Sequence, residues 1–406
     1  MSKQNQSYVG PLIIIGLLFF VFGFVTWVNG TLITFFKKAF SLDNTSSYLV
    51  TFAFFISYTL MAIPSSEVLK RTGFKNGMSL GLAIMAVGTA IFIPAAQIAS
   101  YPLFLVGLFT IGIGLTLLQT ASNPYATILG PRESAAQRIS FLGIANKLAG
   151  IISQWTFGGL LLAGGAAAAP TDELQKVEVP YMILTAVLVV LAVVIKMSKG
   201  LPEVSEEQED EGGNSATAKH NSVFAFPNLV LGVIALFCYV GAEVIAGDTI
   251  ISYGVSLGFP ESEASTFGTY TLWLMLAAYG LGIVLIPKYV SQGMCLKVSA
   301  ILGLIVTVLA IMTTGFTSVI CIAILGFANA LVWPAMWPLA LDGLGKFTKI
   351  GSALLIMGIS GGAILPLVYG KLADSIHSTQ QAYWLLLPLY AFLLYYSLIG
   401  YKKRSW

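Results

Sequence analysis

The stretch Gly114-Leu-Thr-Leu-Leu-Gln119-Thr-Ala-Ser-Asn123-Pro124-Tyr-Ala-Thr-Ile-Leu-Gly130 decides how the chain is read. Most of it is apolar enough to sit in lipid. Gln119 and Asn123 nevertheless stand four residues apart, so on a helix they share one face. Two amides stacked on a membrane helix need polar partners, and a wet cavity supplies them.

The surrounding sequence has the same character. The chain has 406 residues, 57% hydrophobic and 10% charged, with a mean hydropathy of +0.85. A soluble domain carries about 25% charge. Repeated apolar runs of about twenty residues predict an all-α membrane protein. The runs are continuous rather than alternating, which argues against an outer-membrane barrel. Twelve spans are expected at about 11–36, 46–66, 77–98, 101–128, 138–164, 180–198, 227–256, 264–286, 296–314, 318–341, 349–374 and 381–400. Two spans are long enough to tilt or break: the seventh, which contains Gly241 and Gly247, and the eleventh, which contains Gly358, Gly361, Gly362 and Pro366. The first run is too long for a cleavable signal and lacks a small-residue cleavage site.

With the N-terminus in the cytoplasm, sixteen of the 21 Lys and Arg fall on the cytoplasmic side. The positive-inside rule then places both termini in the cytoplasm. The segment 199–222, with Glu203, Glu206, Glu207, Glu209, Asp210 and Glu211, is too polar to bury a core and reads as a linker. It separates two six-helix halves, 1–198 and 223–406. The halves repeat weakly. Phe22-Gly23 and Gly30-Thr31 overlie Tyr239-Val240-Gly241 and Asp248-Thr249 at an offset of 218, and Pro124-Tyr-Ala-Thr resembles Pro338-Leu-Ala-Leu. Duplicated halves place a substrate between them at mid-membrane.

No phosphate loop, zinc spacing or hydrolytic triad is present, so an enzyme is not expected. Cys238, Cys295 and Cys321 are odd in number, lie in or beside apolar runs and read as small packing residues. No cofactor and no nucleic-acid partner are implied, and the chain is expected to act as a monomer in the bilayer.

The ionisable residues within the spans are few. Lys147 lies about 13 Å along its helix from Arg138, near mid-membrane. Glu243 and Asp248 lie in the seventh span, where five residues turn a regular helix by about 140°. The two carboxylates therefore face apart unless the helix breaks at Gly247. Charges at this depth are costly unless paired, which marks them as functional. For Lys147 a structural ion pair with Glu243 or Asp248 stays open beside a substrate role. Amides add Asn29, Gln119, Asn123, Asn146, Gln154 and Asn329. Each offers donors and an acceptor suited to hydroxyls. Trp27, Trp155, Trp273, Trp333 and Trp337 lie within spans rather than at their ends, where an interfacial belt would put them. Aromatic rings against sugar C–H faces, with amides on the hydroxyls, make a sugar site; apolar packing stays open for each Trp.

These features resemble the major facilitator superfamily. Within it, Gln119-Thr-Ala-Ser-Asn-Pro-Tyr-Ala-Thr-Ile-Leu-Gly-Pro-Arg-Glu-Ser-Ala-Ala-Gln-Arg138, Phe237-Cys-Tyr-Val-Gly-Ala242 and Pro180-Tyr-Met-Ile183 resemble the fucose–proton symporter family, most closely its glucose/galactose branch. The resemblance implies an alternating-access sugar importer with twelve transmembrane helices in two pseudo-symmetric six-helix halves. It also implies acidic groups for proton coupling after the span 1 asparagine and at the start of the span 4 motif. The matching positions here are Gly30 and Gln119, which do not titrate. Asp248 stands at the repeat position of Gly30, so the coupling cation is expected at Asp248 or Glu243, with sodium favoured over the proton. The expected substrate ligands are Asn29, Gln119, Asn123, Asn146, Lys147, Glu243, Asn329 and Trp333, holding a hexose such as glucose or galactose. The alternatives are a proton-coupled or uncoupled carrier of another sugar (fucose, N-acetylglucosamine), an exporter of drugs or lipids, and a sugar sensor that does not transport.

Overall fold

A computed structural model describes residues 9–128, 135–162, 170–198, 222–286, 288–404 and 406. The expected linker 199–222 lies outside the described residues except for Ser222, as do residues 129 and 130 of the opening stretch and the four that follow it.

In lipid, every backbone N–H and C=O must be satisfied within the segment, and the apolar runs accordingly become helices. Among the described residues, ten helical stretches are long and apolar enough to cross a membrane. The longest, Leu49–Gln97, is two spans. They meet at Gly73, whose φ of 75° is a conformation that L side chains rarely adopt. Ala135–Phe157, continued by the π-helical turn Gly158–Leu162, forms the fifth span. Among the described residues the chain thus makes twelve crossings, in two halves of six.

Several spans are interrupted. Span 1 is Val9–Trp27 followed by Asn29–Ala39, and span 7 is Pro227–Asp248 followed by Ile250–Ser256. Span 10 divides at Leu331 and span 11 between Gly358 and Gly361. The span 11 break falls where the glycines predicted it. Span 7 is interrupted too, but at Thr249: the helix runs unbroken through Gly241 and Gly247 and ends at Asp248.

The halves meet along three seams. Span 5 packs on span 8 (Glu261–Leu285), span 11 packs on span 2, and the distal part of span 1 packs on span 7. Advancing the numbering by six exchanges the first two seams and maps the third onto itself. This is the behaviour of two halves related by a pseudo-two-fold axis. On that axis Gly30, the repeat mate of Asp248, lies directly against it. A Cβ on Gly30 would come within 3.1 Å of Asp248 Cα and 3.2 Å of its carbonyl oxygen. A Cβ on Gly247 would meet the Trp27 ring at 2.6 Å. The two helices touch main chain to main chain because small residues stand at the crossing.

An even number of crossings puts Val9 and Trp406, the first and last described residues, at one end of the bundle. At the opposite, distal end the halves are tied together. Asp374 at the end of span 11 receives hydrogen bonds from the short helix Asn44–Ser47 between spans 1 and 2. Lys38 pairs with Glu261 at 2.9 Å and lies 3.9 Å from Glu173.

Candidate functional site

A cavity of ≈ 180 Å³ lies between the halves. At roughly 15 Å³ per water-sized site it has room for about twelve waters, which is space enough for one small sugar. Spans 1, 2, 4, 5, 7, 8, 10 and 11 all contribute to its wall.

The charged centre joins the halves. Lys147 Nζ of span 5 lies 3.4 Å from Glu243 Oε1 of span 7 and 4.2 Å from the centroid of the Trp27 ring. The two side chains are only 9% and 14% exposed, so water screens the pair weakly. The Trp27 face supplies a second favourable contact to the ammonium. The sequence left Lys147 a choice of partners, and the structure selects Glu243.

Trp27 is also the hub of the polar wall. It ends the first piece of span 1, where the chain breaks before Asn29. Its Nε1–H donates to Asn146 Oδ1 at 3.3 Å, and its carbonyl accepts from Gln154 Nε2 at 3.3 Å. Asn146 Nδ2 donates in turn to the Phe19 carbonyl at 3.4 Å. The Asn146 amide is thereby oriented, with one N–H and one lone pair left for a guest.

Glu243 and Asp248 both line the cavity although no break separates them. The wall takes in Tyr239, Val240, Glu243, Val244 and Asp248, so it covers about 180° of this helix and holds both carboxylates. Asp248 is 3% exposed, and among the described residues its carboxylate has no hydrogen bond or ion pair. Gln119 of span 4 and Trp333 of span 10 also face the cavity, with Trp333 stacked on Trp337 at 5.1 Å.

The structure therefore brings together Gln119, Asn146, Lys147, Glu243, Asp248 and Trp333. It does not bring Asn29 or Asn329 into the cavity wall. Asn29 is fully buried, and neither atom of its amide has a partner among the described residues. Asn329 is buried and accepts from Tyr390 Oη at 3.1 Å. The side chain of Asn123 lies outside the described residues. Gln154 is buried in the wall behind Trp27. Trp155 and Trp273 face outward, 56% and 48% exposed, with ring centroids 6.5 Å apart across the span 5 to span 8 seam.

Sequence reasoning missed Thr26, Tyr58, Tyr239 and Tyr279, which also line the cavity. Tyr239 was within reach, because it precedes Glu243 by four residues and shares its helix face. Tyr58 has only the small hydroxyl residues Ser57 and Thr59 beside it, and Tyr279 stands between alanine and glycine, so no amide or charge marks either position. Among the described residues, no group of three His, Cys, Asp or Glu is placed to hold a metal ion.

Comparison with known proteins gives a consistent picture. Residues 15–366 match the Major Facilitator Superfamily family. The chain is 35% identical to the glucose/galactose transporter of Brucella abortus biovar 1 (strain 9-941) over 99% of this chain and 97% of that protein. It is 28% identical to the L-fucose-proton symporter of Escherichia coli (strain K12) over 100% of this chain and 95% of that protein. Its fold is similar to a crystal structure of a major facilitator superfamily transporter, FucP, in the outward conformation. That match has a TM-score of 0.74 and 27% identity, and covers 96% of this chain and 98% of that one.

Proposed function

The chain belongs to the major facilitator superfamily, and from that premise we propose that it imports a hexose such as glucose or galactose, driven by a cation gradient, by alternating exposure of the cavity between its halves. One observation carries the reading: a cavity with space for one small sugar, lined by Gln119, Asn146, Lys147, Glu243, Asp248, Trp27 and Trp333. Amides and a charged pair offer donors and acceptors to hydroxyls, and the indole rings offer flat apolar faces to the C–H side of a pyranose. The relative named as a glucose/galactose transporter supports the hexose assignment.

We assign the proton as the coupling ion, in place of the sodium favoured from the sequence. Two relatives are named as L-fucose-proton symporters, and the unpartnered Asp248 carboxylate at the cavity wall is a group that one proton neutralises. The halves are residues 1–198 and 223–406, joined by 199–222. The excess of Lys and Arg on the terminal side makes that side cytoplasmic in a bacterial inner membrane. The distal end then faces outward.

The test is uptake into proteoliposomes with proton and sodium gradients imposed separately, across a panel of hexoses. Uphill uptake of glucose or galactose driven by an inward proton gradient is expected. Accumulation driven by sodium alone would replace the proton in this scheme. Absence of uptake and counterflow for every hexose would refute the transport reading.

A further inference from the structure

The distal tie between the halves contains more bonding than closure by packing requires. Both oxygens of Asp374 are saturated from the opposite half. Oδ1 accepts from the Asn44 backbone N–H at 3.1 Å and from Asn44 Nδ2 at 2.7 Å. Oδ2 accepts from the Thr45 backbone N–H at 2.8 Å and from Thr45 Oγ1 at 2.6 Å. A carboxylate has about four lone-pair sites, so one residue of span 11 uses its whole bonding capacity on two consecutive residues of the first half.

The same segment reaches a second helix. Tyr48, one turn on, packs edge-on to Tyr369 of span 11 at 5.6 Å, and its hydroxyl lies 3.3 Å from Ser252 Oγ. Ser252 stands in the short piece Ile250–Ser256, which begins two residues after Asp248 and follows the break at Thr249. The segment Asn44–Tyr48 thus holds span 11 and the distal piece of span 7 together. That piece is continuous with the Asp248 crossing, where Gly30 rests on main chain.

We propose that Asp374 and the segment Asn44–Tyr48 form the outer gate of this carrier, and that Asp374 is its positioning residue. The proposal rests on the transport reading and on the orientation that puts the distal end outside. When the halves separate at this end, the four bonds to Asp374 pass to water together, because all four donors sit on two adjacent residues. Tyr48 then leaves Ser252 in the same movement, and the distal piece of span 7 loses its tie to this segment. The gate therefore opens as a unit, and the cavity beneath it becomes reachable from outside.

The experiment uses the full-length protein in membrane vesicles. Cys238, Cys295 and Cys321 are replaced by alanine, and T26C places a reporter in the cavity wall. A membrane-impermeant maleimide is applied to each face separately, so the readout needs no sugar. D374A is expected to raise the labelling rate from the outer face by about tenfold, as befits loss of hydrogen bonds to a charged group. T45V removes one of the four bonds and is expected to give a smaller rise in the same direction; it decides the question if D374A does not reach the membrane. D342A, which removes the partner of Arg404 at the other end of the bundle, is expected to leave the rate unchanged. Equal outer-face rates in the parent, D374A and T45V overturn the gate, as does a rise of the same size in D342A. A rise confined to the cytoplasmic face overturns it too, and traces the failure to the orientation. Failure of sugar uptake with these labelling changes intact would refute the transport reading instead.

Discussion

Replacing Lys147 by methionine removes the positive partner of Glu243 while keeping a long apolar stem beside Trp27. Breaking a buried pair from one side costs about 3–5 kcal/mol, because the remaining charge keeps its desolvation without its counter-charge. Glu243 retains 14% exposure at the cavity, so the expected loss is at the lower end, about 3 kcal/mol. Glu243→Gln strands the more buried Lys147, 9% exposed, and is expected to cost about 4 kcal/mol. The double variant buries no charge at this point and is expected to lie within about 1 kcal/mol of the parent, since removing a buried pair entirely is often neutral. Together these figures put the coupling between the two positions at about 6 kcal/mol, above the ~0.5–3 kcal/mol usual for residues in contact, because each single variant strands a buried charge. Unfolding of the four proteins in detergent by denaturant titration measures the cycle. Losses that simply add, with coupling below about 0.5 kcal/mol, would show that the pair does not join the halves energetically.

Three further outcomes are expected. Gly30→Val places side-chain atoms against the Asp248 main chain, which already lies about 3 Å from an added Cβ, and it should reduce hexose uptake by at least about tenfold through obstructed distal closure; uptake within twofold of the parent would contradict the close crossing. Gln119→Ala and Trp27→Phe should each raise the KM for hexose, by about tenfold for the loss of a hydrogen bond to the sugar in the first and severalfold for the loss of the bond to Asn146 in the second, as measured by initial-rate uptake. Trp155→Leu, on the outward-facing side of span 5, should leave KM within about twofold of the parent, and a larger rise would place Trp155 in the sugar path.

The general plan of the protein was legible in the sequence because it is set locally. An apolar run of about twenty residues must become a helix in lipid whatever surrounds it, and the polar residues inside such runs are few enough to name. That reasoning reached Gln119, Lys147, Glu243 and Asp248 without coordinates, because each is hard to explain in a purely apolar environment. It could not separate Asn146 from Asn29, since both are amides inside spans and only packing puts one on the cavity wall and buries the other away from it. Nor could it separate Trp27 and Trp333 from Trp155 and Trp273, because depth along a helix is written in the sequence and rotation toward a neighbouring helix is not. Glu243 and Asp248 share a cavity because the neighbouring helices leave a broad face of span 7 open to it, from Tyr239 to Asp248, a property of those helices rather than of the residues between the two carboxylates. The bond from Asp374 to Asn44 spans 330 residues and joins opposite halves. No local pattern announces it, because the contact exists only when the two halves have come together at that end.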